Sequence, residues 1–398
     1  MPHASPAELP FDLSNQPTVG AASGGGDGPG NELALRPVDG LPRWVGDRLA
    51  GLLLRAVSME ENLGRRLTSM VTPITGYFRR DRHVHPEVDA ATYRLRITGV
   101  ARPTELTLEQ LEALPFERRV LVQECAGNGN HLMGSAGLLG QAVWEGPSLR
   151  TVLEACGGAG PATNFAFHGR DVLKLAGVTL KHGYHYGLSL EELERARALI
   201  AVRMNGEPLS RRHGFPARLV VPKIYSMSHV KWLAQIEGKT EAHRGYHNTW
   251  VFTNKVKRDG RWVRVQARWI GLKSLITHCR RDGDDWLLTG VAWGGERPIP
   301  HVVVSCDGGE SWHEAQVQSP ARFFANNPDI ELPDLEGAWS VFSYRWRPAR
   351  GGVHRIGCRA RDDGGAWQAL ENDPEVHGHF NQTRVKWRDV TVPAPRER

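Results

Sequence analysis

Residues 120–130 read VLVQECAGNGN, an apolar strand that ends at Cys125 and runs straight into a glycine-rich turn. The apolar run, rich in β-branched residues, marks the strand. The glycines leave the backbone on one side of the turn bare of side chains, so the thiol is held at a strand end beside an approachable main chain. A cysteine so placed is a small buried hydrophobe, a soft thiolate donor to a transition metal, or a nucleophile. The last role needs a neighbouring base, and the local sequence does not supply one.

Outward from this turn, between about Pro73 and Glu237, strand and helix patterns interleave. TYRLRITGV, RRVLVQEC, NFAFHG, ALIAVRM and ARLVVP have strand character, while LTLEQLEAL, SLRTVLEACG and SLEELERARA are short helical stretches with Ser, Thr or Gly at their ends. This mixture predicts one sizeable α+β domain. After roughly Arg258 the helical patterns vanish. RWVRVQARW, DWLLTGVAW, PHVVVSCDGGESW, WSVFSYRWRP, VHRIGCRAR and RVKWRDVTV read as strands of an immunoglobulin-like β-sandwich, and the DG pair in SCDGGESW suits a tight hairpin turn. Residues 1–32 end in GAASGGGDGPGN and read as a flexible tail. Residues 33–72 carry apolar positions at helical spacing and read as N-terminal helices packed on the domain behind them. The expected division is therefore 1–32, 33–72, 73–258 and 259–398.

Composition narrows the function classes. The chain has 398 residues, 40% hydrophobic and 24% charged, enough for a proper core. Fifty Lys+Arg against 44 Asp+Glu leave a net charge of +6. That small excess permits an anionic ligand without forming the basic stripe of a nucleic-acid binder. The 5 cysteines form no CxxC pair, which argues against a disulfide scaffold or a zinc ribbon and fits reduced thiols in the cytoplasm. No apolar run reaches the roughly 18–20 residues of a membrane span. The opening MPHASPAELPFDLSNQP has neither the basic nor the apolar region of an export signal, so a cytoplasmic location is expected.

Two basic clusters stand out. GYFRRDRHVHP at 76–86 packs arginines and histidines ahead of a strand, and LSRRHGFPARLVVPKIYSMSHVKWLAQ at 209–235 contains no acidic residue. A charge run is commonly a solvated face. Here the bases alternate with strand-like apolar runs, a spacing suited to a pocket that holds an anion through bidentate arginines. GGAGPAT at 157–163 lacks the ending of a phosphate loop and reads as a turn.

Together, FRRDR at 78–82, ECAGNGN at 124–130, RMNGEPLSRRHGFPARLVVP with SHVKWL at 203–233, and the stretch 274–317 closely resemble the sulfite oxidase family of molybdenum enzymes. The resemblance implies a molybdopterin domain followed by the family's dimerisation domain, and hence a homodimer. It implies that Cys125 ligates molybdenum held by a pyranopterin dithiolene. Phe78, Arg79, Arg80, Asp81, Arg82 and Asp171 would line the pterin. His213, Arg218, His229, Val230 and Lys231 would close around its phosphate and ring. The implied reaction is a two-electron oxygen-atom transfer on a small oxyanion or sulfur compound such as sulfite. Arg80, and Arg359 from the second domain, would contact the substrate. With no CxxCH in the sequence, no haem is expected in this chain, and electrons would leave to a separate carrier such as a cytochrome. Two departures bear on the substrate: Gly129 and Asn130 stand where related sulfite oxidases carry arginine, and the family's tyrosine has only Tyr246 or Trp250 as counterparts. A reductase of nitrate or of S- or N-oxides, and a non-catalytic molybdopterin-binding protein, are the alternative readings.

Overall fold

Three short helices begin where side-chain oxygens take up their free N–H groups. Thr107 caps Leu108–Glu112, Ser148 caps Leu149–Ala155 and Ser189 caps Leu190–Arg195. In the first and third a reciprocal capping box is completed by Gln110 and Glu192. All three fall inside the stretches with helical patterns, but the domain as a whole is sheet-rich. The computed structural model describes residues 59–60, 70–81, 84–129, 137–175, 178–180, 183–325 and 334–393. The expected tail at 1–32 and most of 33–72 lie outside these residues. Within the latter, Met59–Glu60 is a strand paired antiparallel with Arg79–Arg80, which corrects the helical expectation at that point.

Two sheets build the N-terminal part. One has five strands in the order His185–Ser189, Asn164–Gly169, Leu233–Lys239, Leu95–Thr98 and Thr104–Leu106, with Leu233–Lys239 and Leu95–Thr98 parallel. The other orders Glu207–Pro208, Arg203–Met204, Leu139–Pro147 and Phe116–Glu124. In this second sheet Phe116–Glu124 pairs with Leu139–Pro147 along nine residues, which delivers Cys125 to the strand end.

Gly99 turns the chain at φ +67, and a Cβ there would lie 2.0 Å from the Gly238 carbonyl oxygen. Both the left-handed backbone and the close approach demand glycine. Gly99→Ala is expected to cost about 3 kcal/mol or more of stability, read as a drop in the denaturant midpoint at unchanged slope.

The C-terminal part encloses a second core between two four-stranded sheets. Lys273–Asp282, Asp285–Trp293, Ser340–Trp346 and Gln316–Gln318 form one; His313–Glu314, His301–Ser305, Gly352–Arg361 and Arg388–Val392 form the other. Ile276, Leu288 and Phe342 of the first meet Val302, Ile356 and Val390 of the second, the layering of a β-sandwich. Three details differ from expectation. Pro320–Ala325 is helical, started by Ser319 Oγ accepting from Arg322 N–H and anchored by buried Phe324. The DG segment makes no two-residue turn: Val304 pairs with His313, and Asp307 knits the longer loop by accepting from Gly309 and Ser311. The 258/259 boundary falls in the turn of one hairpin, Thr253–Arg258 with Arg261–Gln266. The two parts also share apolar contacts, since Leu275, Val291, Trp293 and Phe380 belong to the core cluster of the N-terminal sheets.

Candidate active site

The segments singled out in the sequence converge on one cleft. Phe78, Arg79, Arg80 and Asp81 line it from the FRRDR loop; Cys125 stands at its strand end, and Asp171 follows the strand Asn164–Gly169. His213, Arg218, His229 and Lys231 enter from the acid-free stretch. Counting its open mouth, the cleft holds ≈ 770 Å³, within the usual range for cofactor sites.

Arg218 is the electrostatic centre of the cleft. It is 4% exposed, and its guanidinium lies 4.8 Å over the Trp144 ring. One Nη donates to the His213 carbonyl at 2.9 Å and the other to the His229 carbonyl at 3.3 Å. Its Nε has no hydrogen-bond partner and it makes no ion pair among the described residues. Burial pulls its pKa down to about 10. A cation so buried without a counter-charge is costly.

Asp81, the carboxylate nearest to this charge in effect, is already engaged by Lys231, His85 and Arg79. Burial alone would raise its carboxyl, but Lys231 and His85 outweigh that and hold it below the usual range. Trp232 lies between His85, at 5.0 Å, and the Lys231 ammonium, at 4.5 Å, with its backbone in the left-handed region at φ 50. Strain of that kind in a bulky residue persists only where its surroundings fix it. Here the indole N–H donates to the Arg211 carbonyl at 2.8 Å.

The two histidines are kept neutral. Burial, then Arg218 and Lys231, lower His213 to about 3; burial and Arg218 do the same to His229. His229 Nε2–H donates to the Val221 carbonyl at 2.8 Å, leaving Nδ1 to accept from the Gln123 amide at 2.6 Å. The unfolded chain protonates both near pH 6.5 and the folded chain near pH 3, so stability rises with pH across that window and is lost as pH falls through it. Between about pH 4 and 6 both histidines act in this direction, so stability should rise steadily with pH there. Denaturant unfolding of the cofactor-free protein at several pH values checks this, with His213→Asn/His229→Gln flattening the slope.

Two expected residues are placed differently. Val230 points into the apolar core at 1% exposure, so that only its neighbours reach the cleft. Arg359 does not line the cleft: its Nε donates to the Gln368 carbonyl at 2.6 Å and its guanidinium stacks 4.9 Å from Trp367, on a sandwich strand. Arg82 and Asn130 lie outside the described residues. Neither Tyr246 nor Trp250 lines the cleft; the tyrosines that do are Tyr77 and Tyr184. Gln123, Ser226, Met227, Trp232 and Phe252 complete the lining. Tyr77, Gln123 and Trp232 are each within two residues of a predicted site residue, the one signal that could have marked them.

Cys125 offers a single soft donor, and no group of three His, Cys, Asp or Glu among the described residues could hold a metal alone. Among the described residues, then, a metal here finds one thiol and no further protein cluster, which suits a metal whose other ligands come from a non-protein group. An anionic, ring-bearing cofactor fits the remaining features, namely the uncompensated Arg218 and the aromatic lining that Phe78 and Trp232 contribute.

Comparison with known proteins agrees with this chemistry. Residues 82–247 match the oxidoreductase molybdopterin binding domain. The chain is 31% identical over 296 residues to a barley nitrate reductase [NAD(P)H], and 28% identical over 333 residues to rat mitochondrial sulfite oxidase. These alignments cover 63% and 74% of this chain but only 32% and 56% of the two relatives. The crystal structure of the sulfane dehydrogenase SoxCD from Paracoccus pantotrophus shares the fold with a TM-score of 0.69, at 22% identity over 90% of this chain and 95% of that one. Residues 82–247 thus have the likeness of a molybdopterin-binding oxidoreductase domain. Beyond that domain, the chain is similar in sequence to both sulfite oxidases and nitrate reductases.

Proposed function

We propose that this protein carries out a two-electron oxygen-atom transfer on a small sulfur oxyanion, sulfite or a relative of it, with molybdenum held by Cys125. The observation that carries the reading is the pairing, in one cleft, of a lone thiol with a buried guanidinium that lacks a counter-anion. When bound, the molybdopterin would supply the two-electron redox change. Cys125 Sγ would hold the metal as a soft donor. Arg218 and Lys231 would neutralise the cofactor's phosphate, and neutral His213 and His229 would stay uncharged beside it. Phe78 would flank the pterin and Asp171 contact it, while Arg80 would orient the substrate oxyanion.

Oxidation of sulfite to sulfate takes one oxygen atom from water and releases two protons and two electrons. We assign the electrons to a separate one-electron carrier such as a cytochrome, and we read the C-terminal sandwich as an immunoglobulin-like dimerisation domain. The nitrate reductase relative keeps one second reading in view, reduction of nitrate at the same centre.

Steady-state kinetics of the metal-loaded protein separate these readings. Sulfite-dependent reduction of an artificial acceptor should exceed consumption of nitrate or methionine sulfoxide with a reduced dye by at least about tenfold in kcat/KM, ~1.4 kcal/mol of barrier. The opposite order would favour the reductase, and no turnover in either direction would contradict catalysis on these substrates.

A further inference from the structure

The turn that carries the thiol is fastened from outside its own sheet. Glu124, immediately before Cys125, is 0% exposed. Its Oε1 accepts from Lys273 Nζ at 2.9 Å and from Asn128 Nδ2 at 3.0 Å; its Oε2 accepts from Lys273 Nζ at 3.0 Å and from the Trp293 indole N–H at 2.9 Å. Lys273 and Trp293 face each other across the strand pair that opens the sandwich. The same ammonium donates to Tyr225 Oη at 2.7 Å; that hydroxyl donates to Asn381 Oδ1, and the Asn381 backbone N–H donates to the Ala126 carbonyl at 2.9 Å. Lys386 Nζ closes the far end on the Gly129 carbonyl at 2.8 Å. Residues 124, 126 and 129 are thus each held by the C-terminal part of the chain.

A buried ion pair is a poor source of stability, since an apolar pair of similar volume commonly does as well. What this pair adds is geometry: four hydrogen bonds of fixed direction on one carboxylate, with no net charge beside the thiol. We propose that Glu124 and Lys273 are positioning residues for Cys125, so that the C-terminal sheet sets where the thiolate stands and how tightly it is held. This rests on the molybdenum reading for its consequence at the metal, but its geometric content can be tested without metal.

The test uses Glu124→Gln/Lys273→Met, which removes both charges together and leaves neither buried alone. In the cofactor-free full chain the proposal predicts a melting temperature near that of the wild type, but alkylation of Cys125 by iodoacetamide at least about ten times faster, followed by peptide mass spectrometry. In loaded protein it predicts a shifted thiolate-to-metal absorption band. Tyr225→Phe deletes only the hydroxyl between Lys273 and Asn381 and keeps the charge pair whole, so it serves if the double variant fails to fold. Its Cys125 alkylation should rise at least about threefold. Wild-type alkylation rates in folded protein would overturn the proposal. Faster alkylation in the variant, with a wild-type protein that takes up no molybdenum, would instead leave the positioning intact and refute the molybdenum reading.

Discussion

Cys125→Ser is expected to yield a folded protein that keeps its secondary structure and loses both its thiolate-to-metal absorption and its turnover. The side chain is 8% exposed and packs with Tyr77, Phe78, Leu121 and Trp144. Serine is smaller and places a hydroxyl in that apolar cluster, a cost of about 1–3 kcal/mol that a chain of this size tolerates. The chemical loss is larger. An alcohol is a hard and weakly acidic donor, so the one soft protein ligand disappears. Activity should fall at least about 100-fold, ~2.7 kcal/mol of barrier or more. Retained activity with retained absorption would show that another group holds the metal.

The second large effect is expected at Arg218. Arg218→Met keeps much of the stacking volume against Trp144 and removes the charge. In the cofactor-free protein the change deletes an uncompensated buried cation but strands the His213 and His229 carbonyls it bonded. These opposing terms should leave the apo melting temperature little changed. In the loaded protein the same change deletes a charge-assisted bond to a buried anion, about 2–5 kcal/mol, so cofactor retention should weaken at least about 30-fold. The KM for substrate in the remaining loaded fraction should move far less. Molybdenum content after dialysis, compared with melting of the apo form, separates the two. Undiminished molybdenum content in Arg218→Met would remove Arg218 from the cofactor site.

Much of this site was legible in the sequence because its chemistry sits in short contiguous motifs. A thiol at a strand end before glycines, an arginine loop, and an acid-free stretch broken by apolar residues each declare a local physical oddity, and folding brings all three to one cleft. The helices were legible for a similar reason: Thr107, Ser148 and Ser189 place capping oxygens just ahead of apolar periodicity.

Contacts between distant residues were not legible. Glu124 meets Lys273 and Trp293 across 149 and 169 positions, and nothing in QEC announces that its glutamate is buried in an ion pair. Arg359 has the residue type for a substrate contact, yet strand register turns it onto Trp367. Val230, flanked by two cleft residues, takes the opposite face and enters the core. The helix Pro320–Ala325 escaped because six residues are too few for periodicity to show.

The central claim is that this chain binds molybdopterin, and the most direct measurement is the metal and pterin content of protein purified from cells that make the cofactor. The account predicts one molybdenum and one pterin per chain, with both reduced in Arg218→Met. A folded wild-type protein that carries neither under those conditions would contradict it.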